Sequence, residues 1–253
     1  MLVDYHTHPI GHDDADHSKE NLRKFAKSAQ EKGIKELGIA DHNRYHKAFK
    51  FDNIQAVNEE FTDVELKIGI EMDYTPLHEG EIFDFLNQFK LDYVIGSIHY
   101  IDDWMFDHPD YVDEYDNWNI DQLYAKYFSN IAQAAGSGLF DIIGHLDLIK
   151  VFDHHPQEDV LKYAELALQT IADQGLCLEI NTNGLNKPVN EMYPSIQLLE
   201  RAYELDIPVT LSSDAHSPER VGEKLVTAKK MLKEIGYNKL ATFKNRELEL
   251  INM

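Results

Sequence analysis

Short β-rich runs and longer runs of helical period alternate about seven times along the 253 residues of this chain, and no other feature limits the fold so much. Strands are expected at 2–5 (LVDY), 36–40 (ELGIA), 64–72 (VELKIGIEM), 93–98 (YVIGSI), 140–143 (FDII), 176–180 (LCLEI) and 208–211 (PVTL). Helices are expected at 18–32, 54–61, 81–89, 119–135, 157–174, 194–205 and 218–235, followed by a mixed tail at 240–251. Ser18 and Asn119 read as N-caps, and Gly33, Gly175 and Gly236 stand at helix stops. Strands that alternate with helices form a parallel sheet joined by crossover helices. A βα unit repeated this often favours closure into a barrel over an open doubly wound sheet, and about 250 residues is an ordinary length for such a barrel. No Ser/Pro/Gly-rich linker divides the chain, so residues 1–253 are expected to form one domain.

Charge narrows the partners. Forty-five acidic residues against 24 basic ones give a formal net charge of -21. Such a surface repels polyphosphate backbones, so no nucleic-acid partner is expected. No apolar window approaches a membrane span, and the start, MLVDYHTH, has no signal-peptide pattern, so a cytoplasmic protein is expected. The single Cys177 excludes an internal disulfide and lies in an apolar run, where a buried inert thiol is the expectation.

The 13 histidines matter because of where they stand. His6 and His8 leave strand one two residues apart, so both imidazoles point to one side. Asp41 and His42 follow strand two, Glu71 and Asp73 end strand three, and His99 ends strand four. His145 and Asp147 end strand five, Glu179 and Asn181 end strand six, and Asp214 and His216 follow strand seven. An isolated HxH pair means little. Seven strands that all deliver imidazole or carboxylate to the C-terminal rim, where α/β barrels build their active sites, mean more. Burying these groups without compensation would cost several kcal/mol, and divalent cations supply the compensation. Mixed imidazole–carboxylate ligation suits Zn, Fe or Mn. The donors outnumber the needs of one ion, so two or three ions sharing a bridging carboxylate are expected. Such a cluster can supply a bridging hydroxide and clamp the oxygens of an in-line displacement at phosphorus. No G-x-S-x-G elbow or Gly-rich phosphate loop offers another chemistry.

VDYHTH, GIADH, GIEMDY, GSIHY, IGHLD and SDAH occur in that order, and together they resemble the polymerase-and-histidinol-phosphatase (PHP) superfamily. GSIHYIDDWMFDHP, DIIGHLDLIK and EINTNGLNKPVNEMYPS are similar to its histidinol-phosphate phosphatase branch. The resemblance covers nearly the whole chain. It implies a distorted seven-stranded (β/α) TIM-like barrel, the PHP fold, with a trinuclear metal site. It also implies metal roles: His6, His8, Glu71 and Asp214 at a first ion, Glu71 bridging to a second held by His99 and His145, and His17, His42 and His216 at a third. His17 is preferred to His12 for that last place, on its spacing to Gly33 and to the end of strand two. The implied activity is hydrolysis of L-histidinol phosphate in histidine biosynthesis, with Glu71 and Asp214 nearest the chemistry and Asp214 helping to protonate the leaving alkoxide.

Phosphate needs cationic donors besides the metals, and Arg220, Lys187 and Arg44 are the candidates. Where the family often has arginine in GLRKP, this chain has Asn186. An imidazole-bearing amino alcohol calls for carboxylates and aromatics, which Asp73, Glu191, Tyr193 and Trp104 offer. Asp4 and Asp41, next to ligand histidines, are expected to accept from their ring N–H groups. The alternatives are a PHP phosphoesterase acting on a nucleotide or another small phosphate ester, and a non-enzymatic barrel. The filled ligand positions argue against the last.

Overall fold

The computed structural model describes residues 1–11 and 15–253. Eleven strands are present among them: β1 (Leu2–Asp4), β2 (Ile34–Ile39), β3 (Glu65–Asp73), β4 (Tyr93–Ser97), β5 (Tyr100–Ile101), β6 (Trp104–Met105), β7 (Ile142–Ile143), β8 (Cys177–Asn181), β9 (Val209–Ser212), β10 (Lys239–Lys244) and β11 (Glu247–Asn252). The helices are α1 (Lys19–Glu31), α2 (Phe51–Asn58), α3 (Glu79–Leu86), α4 (Ile120–Gly136), α5 (Leu161–Asp173), α6 (Ile196–Glu204) and α7 (Leu225–Ile235). Seven strands form one sheet in the order β1-β2-β3-β4-β7-β8-β9, parallel at every pairing. The ring closes where Tyr5 N donates to Leu211 O and Thr7 bridges Ala215 in parallel. This is the distorted seven-stranded barrel expected from the sequence. None of the helices described is long and apolar enough to cross a membrane.

Local chemistry sets the helix limits. Ser18 accepts from Asn21 N and Asn119 from Gln122 N, the N-cap bonds that start α1 and α4. On α1 the buried residues Leu22, Phe25, Ala26 and Ala29 recur at helical spacing and face the barrel. The expected helix at 218–235 is divided. Pro218–Arg220 is a short 3-10 turn, Gly222 takes φ +71° and gives its N–H to Asp4 Oδ2, and α7 starts only at Leu225. Two further elements have no periodic signal in the sequence. One is the β5–β6 hairpin with the 3-10 segment Pro109–Asn117 behind it. The other is the antiparallel β10–β11 hairpin formed by the tail.

That tail hairpin plugs the barrel at the end away from the histidines. Phe243 packs edge-on against Tyr5, and its N–H donates to Tyr5 Oη. Tyr93, fully buried, crosses the interior and donates from its hydroxyl to Tyr5 O at 2.6 Å. Its ring fills the space left by two glycines. A Cβ on Gly38 would stand 2.0 Å from Tyr93 Oη and 2.6 Å from Tyr5 O, and one on Gly69 would stand 2.2 Å from Tyr93 Cζ. Gly38→Ala is therefore expected to destabilise the fold by about 3 kcal/mol, the upper end of the overpacking range. Urea unfolding would show a lower midpoint at unchanged slope; an unchanged midpoint would mean that Tyr93 does not fill this space. Cys177 is buried in β8, where desolvation pushes its thiol pKa up, as expected of an inert residue.

Candidate metal centre

At the C-terminal rim the strand ends converge on Glu71, whose side chain is 1% exposed. Its Oε2 lies 3.4 Å from His6 Nε2, 3.7 Å from His8 Nε2 and 2.5 Å from His42 Nδ1. Its Oε1 lies 3.3 Å from His99 Nε2 and 3.0 Å from His145 Nε2. Asp214 Oδ1 stands 3.2 Å from His8 Nε2 and 3.6 Å from His216 Nδ1. Each carboxylate oxygen of Glu71 thus serves a different set of imidazoles, the arrangement of a bridging ligand. Two donors about 2.0–2.1 Å from one tetrahedral ion lie about 3.4 Å apart, and most of these separations fall near that value.

The residues fit divalent metal ions on a second ground. Of the atoms that face one another here, His6 Nε2, His8 Nε2 and Glu71 Oε2 are buried and make no hydrogen bond. So many unsatisfied buried polar atoms in one place would be costly, and cations satisfy them together. Among the described residues, ligand atoms gather within 4.8 Å of one another in three overlapping sets: His6, His8 and Glu71; His42, Glu71 and His99; and His8, His42 and His216.

Hydrogen bonds behind the cluster aim the rings. Glu179 Oε1 takes His6 Nδ1 at 2.5 Å, and Glu179 Oε2 takes the backbone N–H of His145 at 2.6 Å. Asp73 Oδ1 takes His99 Nδ1 at 2.6 Å. Asp214 Oδ2 accepts from Asn181 Nδ2 at 3.2 Å and Asn183 Nδ2 at 3.1 Å. A carboxylate or amide behind His6, His99 and Asp214 fixes their orientation and, for the two rings, their tautomer.

The electrostatics match a cation site. Burial alone would strip the His6 proton, yet the charges of Glu179 and Glu71 carry its pKa well above the ordinary imidazole value. His99 is raised to about 10: burial opposes this, and Glu71 and Asp73 overcome it. Burial works against ionisation of Glu71, but His42, His6 and His99 hold its pKa well below the carboxylate range. Desolvation, reinforced by His216 and His42, holds His8 well below, so it stays neutral and able to ligate. Metal ions compete with protons for these lone pairs, so binding releases protons.

Several residues singled out in the sequence have other partners. His17 is not brought into the three sets; its Nε2 lies 2.6 Å from Asp41 Oδ2, and its Nδ1 accepts from Lys50 N. His12 lies outside the described residues. Asp41 thus holds the ring of His17 rather than that of its neighbour His42, and Asp4 accepts from Ser213 N, Ser213 Oγ and Gly222 N, tying β1 to the segment that carries Asp214. Arg220 donates to Asn183 Oδ1 at 2.8 Å and to Glu223, so it props the amide that holds Asp214. Arg44 lies over the Tyr45 ring. Glu191 pairs with the buried Lys150, which also bonds Asp147 and Met192 O. Asp73 is used by His99.

A cleft of about 80 Å³ opens on the cluster, and Lys187 and Tyr193 are the candidate substrate residues that line it. Its wall also includes Asp107, Asn183, Leu148 and Val151, none of which the strand-end pattern pointed to. Trp104 lies elsewhere. It packs on Tyr115 and lines a larger surface groove with Tyr100 and Trp118, which none of the clustered histidines reaches. Volume therefore does not choose the site; converging ligands do.

A parallel barrel with buried imidazoles and carboxylates gathered at its C-terminal rim defines a divalent-metal hydrolase of the α/β-barrel class. Residues 4–183 match the PHP domain family, and the chain belongs to it, on the histidinol-phosphatase branch. A probable histidinol-phosphatase of Deinococcus radiodurans is 38% identical over 263 residues, spanning 98% of each chain. The histidinol-phosphatase of Lactococcus lactis is 26% identical over 98% of this chain and 96% of its own. The fold matches the crystal structure of a histidinol phosphate phosphatase from Lactococcus lactis, complexed with Zn, L-histidinol and phosphate. That match has a TM-score of 0.81 at 23% identity and covers 98% of both chains.

Proposed function

We propose that the chain hydrolyses L-histidinol phosphate to L-histidinol and inorganic phosphate, using two or three divalent ions of the Zn, Fe or Mn type. The observation that carries the metal count is Glu71, which offers one oxygen to His6, His8 and His42 and the other to His99 and His145. Relatives named as histidinol-phosphatases along the full length support the substrate. When bound, the ions draw charge from the phosphoryl oxygens and acidify water.

The chain's own residues then divide the remaining work. His6, His8, Glu71, Asp214, His42, His99, His145 and His216 would hold the ions. Burial works against an ionised Asp214, but the His8 ring 3.2 Å away and the charges of His6 and His216 hold its pKa well below the carboxylate range. Its Oδ2 is held by Asn181 and Asn183. Asp214 is thus a fixed, ionised carboxylate at the cluster's edge; a proton taken from water would rest on it only in passing before its return to the departing alkoxide. Lys187, on the cleft wall, would meet a phosphoryl oxygen, and Tyr193 lines the same wall with a buried hydroxyl that makes no hydrogen bond.

The test is phosphate release by the metal-loaded protein from L-histidinol phosphate, glycerol phosphate and a nucleoside monophosphate. A preference of about 100-fold in kcat/KM for L-histidinol phosphate is expected, because a site built to bond polar groups rejects esters lacking them. Equal rates on all three would defeat the substrate assignment. Absence of activity with every metal would defeat the phosphatase assignment too.

A further inference from the structure

One buried polar atom in the cleft is not explained by the metal centre. Asp107 Oδ1 is shielded from solvent and makes no hydrogen bond, and among the described residues the carboxylate has no ion-pair partner. Asp107 shares the cleft wall with Lys187, His99 and Tyr193; it forms no ion pair with Lys187, though its charge reaches His99. It belongs to none of the three ligand sets. Its position is well supported. It follows the β5–β6 hairpin directly, Phe106 beside it is fully buried, and Phe106 N donates to His99 O. Behind the hairpin, Trp104 packs on Tyr115, whose hydroxyl donates to Ile149 O.

Asp107 is half-buried as a residue, and its one shielded, unbonded oxygen costs about 1–3 kcal/mol unless a cation or strong donor meets it. In a small open cleft that partner can come from the ligand. We propose that Asp107 is the specificity residue that binds the substrate's primary ammonium group. This rests on the function proposed above. L-Histidinol phosphate carries its ammonium on the carbon next to the phosphoester CH2. With the phosphoryl group at the ions and Lys187, a carboxylate on the cleft wall meets the ammonium and turns the ester so that its alkoxide faces Asp214. Ordinary phosphate monoesters without an amine gain nothing from Asp107 and bear the cost of desolvating it.

The experiment compares L-histidinol phosphate with its des-amino analogue, imidazolylpropyl phosphate, on wild type and Asp107→Asn, with metal content measured on both. Asp107→Asn should lower kcat/KM for L-histidinol phosphate about 50-fold, the size of one charge-assisted hydrogen bond. It should leave the des-amino ester within about threefold and the metal content unchanged. The variant's rate on the des-amino ester reports that the site is intact. Equal losses on both esters would overturn the assignment in favour of a general acid or a purely structural group, and lost metal would overturn it in favour of a ligand. If wild type distinguishes the two esters and the variant still does so equally well, Asp107 is not the anchor although the substrate is right. If wild type prefers L-histidinol phosphate neither to its des-amino analogue nor to glycerol phosphate, the substrate assignment fails, and this one with it.

Discussion

Glu71→Gln is expected to lower kcat/KM by about three orders of magnitude, near 4 kcal/mol of transition-state stabilisation. The side chain keeps its shape and volume. What changes is that one of two oxygens becomes an NH2, which cannot ligate and turns its hydrogens toward imidazole nitrogens. Five histidines stand within 3.7 Å of the Glu71 oxygens, so either orientation of the amide leaves one set of rings without its shared acceptor. Elemental analysis should show at least one ion lost per chain. The melting temperature should separate two effects. Ions that bind only the folded state stabilise it by mass action, so the variant should melt below the metal-loaded wild type, and any further fall below the wild type treated with chelator measures the lost charge alone. Loss of the buried charge should itself destabilise the metal-free chain by about 3–5 kcal/mol, because His6 and His99 are left buried without the anion they share. Full metal content with undiminished activity would remove Glu71 from the centre of the site.

The strand-end ligands were legible in the sequence because β-strand geometry is local. Two residues apart on an extended chain means one side, and the end of a parallel strand means one rim, so His6, His8, Glu71, His99, His145 and Asp214 could be gathered without knowing any tertiary contact. What could not be read were choices between partners far away in the chain. Spacing makes His17 a plausible third-ion ligand, but it does not reveal that Asp41, 24 residues on, takes the ring. Arg220 looks like a phosphate clamp until Asn183, 37 residues earlier, is seen to accept from it. Glu191 looks free to meet an imidazole until the buried Lys150 is found beside it. Asp107 went unnoticed for another reason. It hangs from a hairpin of two-residue strands, too short for any period to emerge. The divided helix at 218–235 has the same root: helical periodicity carries through Gly222, and only the bond from its N–H to Asp4 shows why the chain turns there.

Glu179→Gln should behave differently from Glu71→Gln, and the contrast separates residues that hold metal from residues that aim the holders. Glu179 touches no ion in the proposed scheme. It is 1% exposed and accepts from His6 Nδ1, the backbone N–H of His145 and Ser212 Oγ, and Asn181 Nδ2 lies 3.3 Å away. One carboxylate thereby fixes groups from β1, the end of β7, β8 and β9 relative to one another. A glutamine has a single oxygen to share among donors that all need an acceptor, and its own NH2 would face an N–H or O–H. The His6 ring then loses the bond that sets its tautomer and direction, and the His145 backbone loses its anchor. Losing such an outer partner typically weakens metal binding by about 10- to 100-fold, so the metal concentration giving half-maximal activity should rise by that factor. At saturating metal most of kcat should return, because every ligand is still present; Glu71→Gln should show no such rescue. The metal-free fold should lose about 2–3 kcal/mol, the cost of leaving buried donors unsatisfied, read as a lower urea midpoint in chelator. An unaltered metal titration would mean that His6 is held by packing alone, and the ring orientation would then need a source other than Glu179.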